Sequence, residues 1–141
     1  DPTDLAELGE TTDIGNSTNS LDDPAMIAAD GHLLVPRTDE IDVVSVSDPA
    51  NLQVADTISL SDDIDAIAAE KQLLYAAYGQ FVASIDISDP QDARIADEFQ
   101  LNGFWLPEQL VATGNRVYLH DDQGTVDVRI LTLEVDSTLL D

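Results

Sequence analysis

Three short runs of aspartate, Asp22-Asp23, Asp62-Asp63 with Asp65, and Asp121-Asp122, each put more than one carboxylate within reach of a single loop. Calcium binds through several carboxylate and carbonyl oxygens, so these runs are the first places to look for chemistry. Asp62, Asp63 and Asp65 are the best candidates for a metal site because they fall in one inter-strand loop. None of the runs has the spacing of an EF-hand, and a chain with 22 aspartates produces such clusters by composition alone. The only imidazoles are His32 and His120. No Gly-x-Ser-x-Gly elbow or paired-histidine motif accompanies them, so both read as surface residues beside hairpin turns, and no catalytic residue is assigned. Glycoside hydrolysis would need two carboxylates fixed across a sugar, a geometry that spacing along a chain does not supply. Phe104 and Trp105, in "NGFWLPEQ", could stack on a ligand if exposed, although filling the seam between blades is the commoner use of such a pair. Asn16-Ser17-Thr18 satisfies an N-glycosylation sequon. The absence of cysteine excludes disulfides and thiolate metal sites, and no cofactor is implied.

The charge balance limits the partners. Twenty-nine acidic residues against five basic ones give a formal net charge of −24, a field that repels nucleic acid and anionic membrane surfaces. The acids are mostly aspartate, and Lys71 is the only lysine. At low ionic strength such a surface strains a compact fold, whereas near 1 M salt the screening length shrinks to roughly 3 Å. The composition resembles that of proteins from extreme halophiles; the alternative is an acidic surface protein from a mesophile, with or without calcium. The 141 residues suit one domain, with no apolar run long enough for a membrane helix, so no membrane insertion is expected. No signal-peptide pattern opens the sequence, which suggests a mature soluble protein or an excised piece of one.

Positioning elements emerge from self-similarity. "SVSDPANLQVADTISL" (45–60) returns 41 residues later as "DISDPQDARIADEFQL" (86–101). "MIAADGHLLV" (26–35) matches "AIAAEKQLLY" (66–75), with "LVATGNRVYL" (110–119) as a third copy, and "DPTDLAELGE" (1–10) aligns with the two Asp-Pro segments. Each unit reads as four short strands, in the middle copy "QVADTISL", "DAIAAE", "QLLYAAY" and "FVASIDIS". Val54, Ile58 and Leu60 alternate with polar residues, and Ile95, Phe99 and Leu101 repeat the pattern; period two argues strand. Asp56 and Asp97 share the parity of that apolar face, which points to an edge or a bulge. Asp-Pro suits a turn, since proline fixes φ and cannot donate to a ladder. One strand per copy is small-sided, at Ala28-Ala29, Ala68-Ala69 and Ala112, as tapered or tightly packed interiors require.

On these residues the chain resembles the LVIVD repeat, whose consensus passes from an apolar strand through Val-Ser-Asp-Pro-Ala-Asn into another strand. "IDVVSVSDPANLQVADTISL" and "VASIDISDPQDARIADEFQL" carry the likeness, most strongly at 46–52 and 87–92. It implies a β-propeller of four-stranded blades in a secreted or cell-surface protein, and it supplies no catalytic residues. The third copy departs from the pattern, with Ser137-Thr138 where Asp-Pro would stand.

The expected fold is all-β: four-stranded antiparallel blades of propeller type, about three repeats of roughly 41–47 residues in one domain over 1–141, with units near 1–47, 48–88 and 89–136. Three blades fall short of the 4 to 8 that usually close a ring. The chain is then a segment of a longer propeller, or two copies form a six-bladed homodimer in which each copy's first strand completes a blade of the other. The expected role is a non-enzymatic extracellular or cell-surface scaffold for protein binding or self-assembly. Its rivals are a hydrolase or lyase with a site on the axial face, and a calcium-stabilised adhesion module.

Overall fold

The computed structural model describes residues 6–7, 24–102 and 107–121, together with the backbone of 129–134. Asn16, Asp22, Asp23, Phe104, Trp105 and Asp122, and with them the sequon and the candidate stacking pair, lie outside the described residues. The described residues form eleven strands and no helix, and so include no helix long and apolar enough to cross a membrane.

The first sheet is β1 (Ile27–Ala29), β2 (His32–Arg37), β3 (Glu40–Ser45) and β4 (Gln53–Ser59). The second is β5 (Ile64–Glu70), β6 (Leu73–Tyr78), β7 (Phe81–Asp86) and β8 (Arg94–Gln100). In the third, β9 (Pro107–Thr113), β10 (Arg116–Asp121) and β11 (Arg129–Glu134) are described. Strands neighbour one another in chain order and every pairing is antiparallel, so each sheet is a plain meander. The small-sided segments become the first strand of each sheet, and Asp48-Pro49 and Asp89-Pro90 lead into the fourth strands of the first two.

The turn chemistry repeats atom for atom. Asp48 Oδ1 accepts from Ala50 N at 3.1 Å and its carbonyl from Asn51 N at 3.0 Å. Asp89 does the same with Gln91 N and Asp92 N, both at 3.0 Å. Pro49 and Pro90 come next, at the position where a fixed φ favours the turn. Leu60 N donates to Asp39 O, and 41 residues on Leu101 N donates to Gln80 O, at 2.8 and 2.7 Å. Pro36 is tolerated inside β2 because it lies beyond Leu34, the last partner of β1, where no ladder bond to that strand is lost.

The sheets stack face to face with a constant sense. Leu34, Ile41, Val43 and Ile58 on one face of the first sheet share a cluster with Ile64, Ile67, Leu74, Ala76, Tyr78 and Ile85 of the second. The opposite face of the second sheet, with Ala66, Leu73, Tyr75, Ala77 and Val82, packs against Leu110, Val117 and Leu119 of the third. In the structure Leu34 and Ile41 hold the places of Tyr75 and Val82, one residue along from the sequence match of 26–35 with 66–75, so the same forward face meets the back face of the next sheet at both junctions. The middle sheet is covered on both sides, and all six residues of β6 are buried. A strand covered on both faces needs a continuous apolar run rather than an alternating one, which is what "LLYAAY" supplies. Each large apolar side chain taken fully out of water there contributes about 1.5–3 kcal/mol.

Bulges explain the two aspartates on the apolar parity. Val44 pairs with Val54 and Val43 with Asp56, which leaves Ala55 as an extra residue. Ala96 is the extra residue 41 positions later, between Ile95 and Asp97. A bulge bends its strand and re-aims the side chains beyond it, and here it places Asp56 on the forward face.

Candidate functional site

The first hairpins of the first two sheets stand side by side and enclose an open cleft of about 430 Å³ lined by Ala28, Ala29, Asp30, Ala69, Lys71 and Gln72. The alanines leave the space, because a larger side chain on β1 or β5 would fill it. Asp30 (φ 47°) and Gly31 (φ 75°) turn the first hairpin, Lys71 (φ 56°) the second and Gly114 (φ 59°) the third. An unbranched lysine in this left-handed region carries backbone strain that glycine avoids. The chain's single lysine thus lines the cleft together with Asp30. His32 Nδ1 donates to the carbonyl of Asp30 at 2.9 Å, so this imidazole secures the turn.

The opposite ends of the sheets carry the acidic loop. Asp62 and Asp63 are exposed, and Asp65 is the bulged residue of β5, between Ile64 and Ala66. The Asp65 carboxyl is pushed up to about 6, first by burial and then by the charge of Asp62, with a smaller push from Asp63 and an opposing hydrogen bond from the Gly79 N–H. Asp62 leans on the same glycine: a Cβ at Gly79, whose φ is +50°, would lie 2.3 Å from Asp62 Oδ2. Glu108 repeats the bulge 43 residues after Asp65, between Pro107 and Gln109. Among the described residues no group of three or more histidine, aspartate and glutamate side chains is arranged to hold a metal ion, Asp62, Asp63 and Asp65 included. Asp121 is fully buried in β10, so the Asp121-Asp122 run does not present two exposed carboxylates.

Three polar features stand outside the candidates read from the sequence. Asp56 Oδ2 accepts from Ala93 N of the neighbouring sheet at 3.0 Å. On the back face of the first sheet, Arg37 clasps the buried Asp42 through Nε at 2.8 Å and Nη2 at 3.0 Å. Nη2 also reaches Glu40 at 2.7 Å, and Thr57 Oγ1 donates to Asp42 at 2.7 Å. The equivalent place in the second sheet, which the first sheet covers, holds Tyr78 donating to Glu98 and stacked on Phe81 at 5.9 Å. Burial first, and then Glu98, raise the Tyr78 phenol above its ordinary range. Proximity of Arg37, Glu40 and Asp42 in sequence gave a signal for the ion pairs; the long-range Asp56 contact gave none.

The charged side chains that line the cleft are Asp30 and Lys71. Among the described residues neither histidine is hydrogen-bonded to a hydroxyl it could activate. No protein-family model matches the chain, and no curated protein matches it.

Proposed function

We propose that this chain is an LVIVD-type β-propeller scaffold, extracellular or on the cell surface and adapted to high salt, which acts by binding protein and by self-assembly rather than by catalysis. The observation that carries the reading is the constant sense of stacking, forward face on back face, repeated at both junctions. Such stacking presents at one end of the array the partner surface of the other. Val111, on the forward face of the third sheet, is 57% exposed, and Met26, beside β1 on the back face of the first, is 62% exposed. Further sheets seat on these two faces, supplied by a second copy or by further repeats of the same protein. Three sheets from each of two copies give six, within the range in which propellers close.

The test is the solution mass by light scattering across a salt series. In about 3 M potassium chloride, where repulsion is screened, two copies of the 15.2 kDa chain associate. A mass of one chain at every salt and protein concentration would overturn self-assembly.

A further inference from the structure

We propose that the cleft between the first hairpins of the first two sheets binds a small zwitterion of the amino-acid or short-peptide class, its ammonium on Asp30 and its carboxylate on Lys71. The inference goes beyond the scaffold reading and does not depend on it, since every lining residue belongs to one chain.

The hairpin registers place the two charges. Ala29 pairs with His32 across the first turn and Glu70 with Leu73 across the second, so Asp30 and Lys71 are the first turn residues of their hairpins. Both adopt a positive φ, 47° and 56°, where the third hairpin has Gly114. Two neighbouring repeats therefore put opposite charges at one turn position, and both residues line the same cleft.

Neither charge is spent within the protein. Among the described residues the ion pairs belong to Arg37 and Arg94, and neither the Asp30 carboxylate nor the Lys71 ammonium has a partner. The backbone carbonyl of Asp30, not its carboxylate, holds His32.

The other junction shows what opens this cleft. By the same registers Ala29 stands where the second sheet has Glu70, and Leu34 where it has Tyr75. Glu70 lies near enough to the Tyr75 phenol to help raise its pKa, so two long polar side chains meet there. At the first junction an alanine and a leucine hold those places, and about 430 Å³ stays open. That volume suits a small ligand, with apolar lining and few polar groups.

The pair of charges selects the ligand. A simple anion gains from Lys71 but meets Asp30 and a surface with 29 acidic residues against five basic ones. A simple cation gains from Asp30, is repelled by Lys71, and finds many other carboxylates outside the cleft. Only a ligand carrying both signs gains from both side chains, and its short apolar part is covered by Ala28, Ala29 and Ala69.

The experiment is a titration of the isotope-labelled chain with glycylglycine in about 1 M potassium chloride, which screens distant acids and leaves direct contacts in place. Saturable shifts of the Ala29, Asp30, Lys71 and Gln72 amide resonances are expected, with a dissociation constant on the order of millimolar because open ion pairs are individually weak. Acetate and methylammonium should each bind at least tenfold more weakly. Lys71→Gly and Asp30→Gly each remove one charge and suit the positive φ, so they should weaken glycylglycine at least tenfold without lowering the melting temperature. Exchanging the charges, Asp30→Lys with Lys71→Asp, should restore binding with the ligand reversed. Unsaturable shifts, acetate binding as tightly as glycylglycine, or wild-type affinity in Lys71→Gly would overturn the proposal, as would a charge exchange no better than the single variants. The scaffold reading would stand in each case, because its test is the solution mass.

Discussion

Asp56 Oδ2 and the N–H of Ala93 meet at 3.0 Å across two sheets, joining the bulged edge strand of one to the Asp-Pro loop of the next. A hydrogen bond to a charged acceptor contributes about 1.5–3 kcal/mol when sheltered, and this one is only partly so. Asp56→Ala should cost about 1–2 kcal/mol in denaturant unfolding at constant salt. An unchanged midpoint would mean that packing alone holds the junction.

Gly79 answers two demands at once, a positive φ and the nearness of Asp62. Gly79→Ala should destabilise the fold by about 1–2 kcal/mol through the left-handed backbone. Adding Asp62→Gly should recover only the part due to the displaced carboxylate. Full recovery in the double variant would show that the backbone term is negligible.

Asp65 sets a pH dependence with a definite sign. Its carboxyl is raised from 3.8 to about 6 in the fold, so the folded state holds its proton more tightly than the unfolded chain. The folded state therefore gains relative stability at low pH and loses it as pH rises between about 4 and 6. Asp65→Asn removes the penalty and keeps an acceptor for the Gly79 N–H. The variant should match wild type below pH 4 and exceed it by about 1 kcal/mol at pH 7.5, after allowance for solvent screening. Chemical denaturation at the two pH values checks this, and a difference independent of pH would count against it.

Tyr75 is 2% exposed between the second and third sheets, and its hydroxyl has no hydrogen-bond partner among the described residues. Its phenol is raised by burial and, secondarily, by Glu70. An unsatisfied buried hydroxyl costs about 1–3 kcal/mol. Tyr75→Phe should therefore raise the melting temperature, and a fall would reveal a partner for the hydroxyl, such as a buried water.

Much of this architecture is written locally. The strands "QVADTISL", "QLLYAAY" and "FVASIDIS" fall on β4, β6 and β7, because alternation, buried apolar runs and turn residues act over a few positions. Asp-Pro was legible as a turn for the same reason. The Ala55 and Ala96 bulges were not, since a bulge is a two-against-one pairing that depends on the opposite strand. Without the bulge, Asp56 looks misplaced on an apolar face; with it, the carboxylate is aimed at a neighbour 37 residues away. The acidic run at Asp62 suggested calcium, yet its placement serves Gly79 and a bulge, a use invisible until the β6–β7 turn is brought beside it.

The one-way stacking of the sheets also bears on how such a protein can change over generations. An array whose successive members always offer the same surface to the same counterpart can lengthen or shorten by whole units without inventing a new junction. A duplication of that length carries its own Asp-Pro hinge, its own bulge and its own aspartate for the neighbour. Insertions of half a unit break all three together, so copy number is the variable such a lineage is free to explore.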